Sequence, residues 1–145
     1  MMRKILLALL IVASPAVAQL RLPGGRQLPP PVLTGIDAMR AEFAAQSGGT
    51  TVYFGGDSNQ LGPQARTVLA AQATWLRRHP EIVVRIEGHG DAGDTRDHAL
   101  GVGAKRAEEV RGFLVLLGVP AAQMTAMTWG KERPGAGRAV TILVR

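Results

Sequence analysis

Apolar and polar positions follow one another along this chain with changing period, and each change marks an element. Ile5 to Ala13 form an unbroken apolar run. Residues 19–34 have no period and carry Pro23, Gly24, Gly25, Pro29, Pro30 and Pro31, which predicts an extended, semi-rigid tether. Ile36, Met39 and Phe43 share one side of a short helix predicted within Ile36 to Ala45, and Ser47-Gly48-Gly49 ends it. Thr51 to Phe54 is β-branched and aromatic, the composition of a first strand. Asp57-Ser58-Asn59 is turn chemistry. Gly62-Pro63 suits a helix start, and Ala65, Val68, Leu69, Gln72 and Leu76 continue at helical spacing until Pro80. Ile82 to Glu87 alternates as a strand, Gly88 to Asp94 reads as a polar glycine-rich loop, and a second helix runs from about Asp97 to Leu117, closing at Gly118. Met124 to Thr128 and Ala139 to Val144 are the remaining strands. The order β-α-β-α-β-β predicts an α+β two-layer sandwich, two helices packed on one four-stranded mixed sheet. The chain thus divides into residues 1–18, a tether with its short helix over 19–48, and one domain over 49–145.

Composition narrows the chemistry. Among 145 residues there is no Cys, which excludes disulfides, thiolate metal sites, Cys nucleophiles and a lipid carried on an N-terminal Cys. Aromatics are 4% of the chain, so the core must rest on Leu, Val, Ile and Ala, with Trp75 and Trp129 as candidate larger fillers. Arg3 and Lys4 precede the apolar run, Pro15 breaks it, and Ala16-Val17-Ala18 fits a cleavage site before Gln19, the layout of a secretory signal peptide. The run is shorter than the roughly 20 residues of a spanning helix, so the mature chain is expected to carry no transmembrane span. Formal charge is +6, of which Arg3 and Lys4 contribute two. The remaining excess suits an anionic partner such as cell wall. The basic residues are scattered and not interleaved with aromatics, so the footprint of a nucleic-acid binder is missing.

One charge sits where the pattern wants an apolar residue. On the second helix, Val102, Phe113, Ala99, Leu117, Val110, Gly103, Leu114 and Ala107 fall within an arc of about 140°, and Arg106 falls near its middle. A buried guanidinium keeps its proton and costs several kcal/mol at order of magnitude unless it finds a partner. Asp91, in the loop leading towards this helix, is the leading candidate. Two readings follow from the spacing: a structural Asp91–Arg106 pair, or a half-open site where Arg106 grips an incoming carboxylate and Asp91 an ammonium.

Ile86-Glu87-Gly88-His89-Gly90-Asp91, then Gly93, Leu100, Val102-Gly103 and Lys105-Arg106-Ala107, resembles the core motif of the OmpA-like domain, the family that includes the peptidoglycan-associated lipoproteins. The likeness extends upstream through Val52-Tyr53-Phe54, Leu61, Leu69, Ala73 and Leu76. Downstream it takes in Leu117-Gly118-Val119, Trp129-Gly130-Lys131-Glu132-Arg133-Pro134 and Arg138-Ala139-Val140-Thr141. The resemblance implies a non-enzymatic domain without a cofactor that binds peptidoglycan through the diaminopimelate of its peptide stem. Asp91 would receive the amino group and Arg106 the carboxylate, with Asp57, His89, Gly93 and Arg138 as candidate supporting residues. It implies a periplasmic or outer-membrane-associated location, and other envelope proteins as further candidate partners. Four departures bear on the site. Gly55 and Gly56 stand where the family has Asp and Phe, Ala99 stands where it has Asn, and the loop before the last strand is cut to Gly135-Ala136-Gly137. They predict weaker binding, an altered ligand, or a domain that keeps the fold and serves as a protein-interaction or structural module of the envelope.

Other chemistries fit less well. Gly88-His89-Gly90-Asp91-Ala92-Gly93 matches G-x-G-x-x-G, but Asp91 would put negative charge where phosphates sit. His89, Asp91 and His98 form a two-His, one-carboxylate set on paper, although plain loop and surface roles explain each; no metal is expected. There is no G-x-S-x-G elbow, and Ser58 belongs to a turn. Glu87 has two readings, a pair with a basic residue across strands or a place facing the loop.

Overall fold

The computed structural model describes residues 32–133 and 137–145. The predicted signal peptide, the tether before residue 32, and residues 134–136 of the shortened loop lie outside them. In order come α1 (Ile36–Gln46), β1 (Thr51–Tyr53), α2 (Pro63–Arg78), β2 (Val84–His89), α3 (Arg96–Leu116), a single 3₁₀ turn (Ala121–Gln123), β3 (Met124–Gly130) and β4 (Arg138–Leu143). The sheet runs β1-β4-β2-β3. β4 is antiparallel to both its neighbours, and β2 and β3 are parallel, joined through α3. The predicted β-α-β-α-β-β order and mixed sheet are observed.

Alternation sets the layers. Val52, Val84, Ile86, Met124, Ala139 and Leu143 are buried in the core between sheet and helices, where they meet Leu69, Leu76, Ala107, Val110 and Leu114. Trp75 is fully buried among them. Within this core Thr141 Oγ1 donates to Gln72 Oε1 (2.9 Å), and Gln72 Nε2 donates to the Gly49 carbonyl (3.1 Å), so the buried amide is matched. Pro63 opens α2 behind Gly62, as the pair predicts, and α3 is capped by the Thr95 hydroxyl, which accepts from His98 N.

The short helix at the end of the tether packs on the domain. Phe43 of α1 is fully buried and meets Trp75 at 5.1 Å between ring centroids. Arg40 donates from Nε and Nη2 to the Leu143 carbonyl at the end of β4 (3.2 and 3.0 Å). Ser47 Oγ lies 2.6 Å from the Phe43 carbonyl and 2.8 Å from that of Gly49, turning the chain into β1. Three helices therefore cover the sheet.

Two glycine contacts set how close α3 can come to β2. A Cβ on Gly88 would lie 1.9 Å from the Gly103 carbonyl oxygen, and one on Gly90 would lie 2.4 Å from that of Ala99. Helix and strand thus touch backbone to backbone, which only glycine on the strand permits. β2 also extends further than its alternation predicts. Gly88 and His89 continue the ladder beside Thr128 and Gly130 with an irregular step between them, because pairing with β3 holds backbone that the polar composition marks as loop.

Candidate functional site

The close approach of α3 carries Arg106 to the C-terminal end of β2. Its side chain is fully buried, on the face that also buries Ala99, Val102, Gly103, Ala107, Val110 and Leu114. Three of the five guanidinium N–H groups go to backbone carbonyls: Nη1 to His89 (2.8 Å), Nε to Ser58 (3.0 Å) and Nη2 to Gly56. The Phe54 ring lies beneath, 5.3 Å from the guanidinium carbon. Asp91 Oδ1 is 3.8 Å from Nη1, beyond hydrogen-bonding distance, and its side chain is one-third exposed. The anion expected from the sequence is therefore present, but oriented carbonyl dipoles hold most of the charge. They come from residues 48 and 50 positions upstream as well as from β2.

The other candidate residues spread around this pair. Asp57 is exposed in the β1–α2 turn, 3.8 Å from His98 Nε2. His89 is buried, its carbonyl engaged by Arg106 and its Nδ1 without a hydrogen bond. Burial, with the nearby Arg138 guanidinium next in weight, Glu87 opposing and Arg133 adding, pushes its pKa below the usual imidazole value. Gly93 is exposed, and a Cβ there would meet nothing, so no packing demands glycine. Arg138 opens β4 opposite Tyr53 of β1. Ala99 and Gly137 occupy two of the departures from the family pattern. Ala99 is fully buried against Gly90, and a Cβ on Gly137 would stand 3.6 Å from Asp91 Oδ1.

His89, Asp91 and His98 do not converge. Among the described residues the histidine–carboxylate group that does is Asp57, Asp94 and His98, on the surface at the start of α3. The glycines of the G-x-G segment serve the contact with α3, which leaves them no part in a phosphate cradle. Glu87 is buried and paired with basic residues, though not across strands: Arg85 Nη2 of its own strand (2.8 Å) and Arg133 Nη1 beyond the end of β3 (3.4 Å). Arg133 also stacks over Trp129 at 3.6 Å. The sequence marked Phe54 as strand and as part of the family likeness but not as a site residue, and carbonyl acceptors such as those of Gly56 and Ser58 have no residue-type signature.

Comparison with known proteins agrees with this fold. A curated peptidoglycan-associated lipoprotein of Agrobacterium fabrum is 41% identical over 88 residues, 61% of this chain and 50% of that protein. One from Pseudomonas aeruginosa is 40% identical over 101 residues, 70% of this chain and 60% of that protein. The chain thus spans about half the length of the curated relatives it matches. The crystal structure of the peptidoglycan-associated lipoprotein from Burkholderia pseudomallei superposes with a TM-score of 0.64 at 36% identity, covering 67% of this chain and 92% of that one. A MotB-like protein from Desulfovibrio vulgaris shares the fold, with a TM-score of 0.62 at 22% identity over 76% of this chain and 88% of that one. The model of the OmpA family matches residues 53–141, from β1 into β4 and across both Asp91 and Arg106, and the chain belongs to that family.

Proposed function

We propose that this domain binds peptidoglycan non-covalently through the diaminopimelate of the peptide stem and so contributes to organising the cell envelope, in the periplasm or beside the outer membrane. The observation that carries the reading is the spacing of the two charges. Asp91 and Arg106 stand 3.8 Å apart, close enough to attract but too far to satisfy each other. A zwitterionic end that displaced carbonyls from Arg106 would gain a charge-assisted hydrogen bond at each of its groups, ammonium to Asp91 and carboxylate to Arg106. Asp57, His89, Gly93 and Arg138 would act in support, Asp57 and Gly93 from the exposed turns on either side. The names of the relatives, peptidoglycan-associated lipoproteins, support the same class of ligand. No helix among the described residues is long and apolar enough to cross a membrane.

A second reading has its own observation. Arg106 is fully buried and already bonded to three carbonyls, as expected of a domain that has kept its fold and serves as an interaction or structural module. Co-sedimentation of the full chain with diaminopimelate-type sacculi separates the two. Binding that is lost in folded Asp91→Ala and Arg106→Ala variants, and displaced by free diaminopimelate, is the expected result. A folded wild-type chain that stays in the supernatant would sink the wall-binding reading.

A further inference from the structure

We infer that the turn between β1 and α2, residues Gly55–Gln60, is an internal competitor for Arg106, so that a ligand carboxylate binds only by displacing it. The inference rests on the proposed role of Arg106 as the carboxylate receptor. Two of the three carbonyls on the guanidinium belong to this turn, those of Gly56 and Ser58. The third belongs to His89, fixed in the sheet by its pairing with β3. Closed in this way, Arg106 has no accessible surface, and nothing from solution can touch it.

The turn is held lightly elsewhere. Gly55, Gly56 and Asp57 are exposed. Ser58 N donates to the Gly55 carbonyl (2.9 Å) and Gln60 N to Ser58 Oγ (3.0 Å), both within the turn itself. Among the described residues its side-chain link outward is Asp57 to His98, at 3.8 Å between exposed groups. Gly56 has φ +49, a conformation that glycine holds freely, and a Cβ there would meet no atom within 4 Å. The closed turn therefore depends on Arg106 itself.

Chemistry decides what can open it. The bonds from Arg106 to the two carbonyls are already charge-assisted on the donor side, but a carboxylate adds a full opposite charge and can accept two parallel N–H bonds, so it can outcompete them. A neutral amide offers Arg106 nothing that the turn does not already supply. The site should thus select a free carboxylate and reject the amidated form of the same ligand. Apparent affinity is reduced by the fraction of molecules in which the turn is closed.

Gly56→Val strains the closed turn without a clash at Cβ, and Gly56→Ala does so more mildly should the valine variant melt early. The reactivity of Arg106 towards phenylglyoxal, mapped by peptide mass, reads the turn without any ligand. In wild type Arg106 should react about tenfold more slowly than the exposed Arg96, as for a group reached only by local opening. Both substitutions should speed the reaction, and Gly56→Val should tighten calorimetric binding of free diaminopimelate about fivefold. Arg106 as reactive as Arg96 in wild type, or unchanged in both variants, would overturn the inference whatever diaminopimelate does. Arg106 unmasked in the variants, with diaminopimelate neither binding nor protecting it, would uphold the competing turn and remove diaminopimelate as the ligand.

Discussion

Asp91 and Arg106 carry opposite charges, yet they should contribute unequally to folding. Asp91 is one-third exposed and 3.8 Å from its neighbour, so Asp91→Asn should cost less than about 1 kcal/mol in urea unfolding while abolishing binding to sacculi. Arg106→Met leaves the His89 carbonyl without its donor inside the protein, and should cost about 2–3 kcal/mol in the same measurement. His89 adds a pH dependence. Its folded pKa lies below 6.5, so near and below that pH the unfolded chain takes a proton that the folded chain refuses. This part of the stability is complete above about pH 6.5 and is lost as pH falls towards the folded pKa. His89→Gln should therefore lose less of its urea midpoint than wild type between pH 7.5 and 5.5; equal losses would count against it. At this scale the sequence revealed the anomaly better than its solution. A charge in the middle of an apolar arc stands out, whereas the carbonyls that receive it belong to residues whose side chains take no part.

Elements were legible where their period ran long. α2 and α3 follow their apolar arcs and their Gly62-Pro63 and Gly118 boundaries to within a residue or two. α1 shows only Ile36, Met39 and Phe43, too few to say what the helix covers, and its docking depends on the Phe43–Trp75 contact and the Arg40 bonds to Leu143. Phe43→Ala should cost about 3–5 kcal/mol, measured by denaturant titration. The meeting of α3 with β2 is equally demanding. Gly88→Ala would set a methyl group 1.9 Å from the Gly103 carbonyl oxygen, so helix and strand must part. The melting temperature should fall by more than an exposed Gly93→Ala changes it, and Arg106 should move out of reach of the His89 carbonyl.

For the whole molecule, the compact unit spans Leu33–Arg145, and α1 lies inside it. A chain cut after Gly48 should melt lower than one cut before Leu33, since Phe43 and Arg40 go with the longer cut. The order of strands across the sheet differs from their order along the chain, and this has a consequence in time. β4 is the last strand in the sequence, yet it lies between β1 and β2. A polypeptide emerging from a ribosome has no neighbour for β1 until nearly everything behind it has appeared. The β2–α3–β3 segment can form early from nearby residues, but β1 must wait for a partner some 90 positions away. Synthesis thus runs ahead of assembly, and β1 stays an unpaired edge until β4 is delivered beside it.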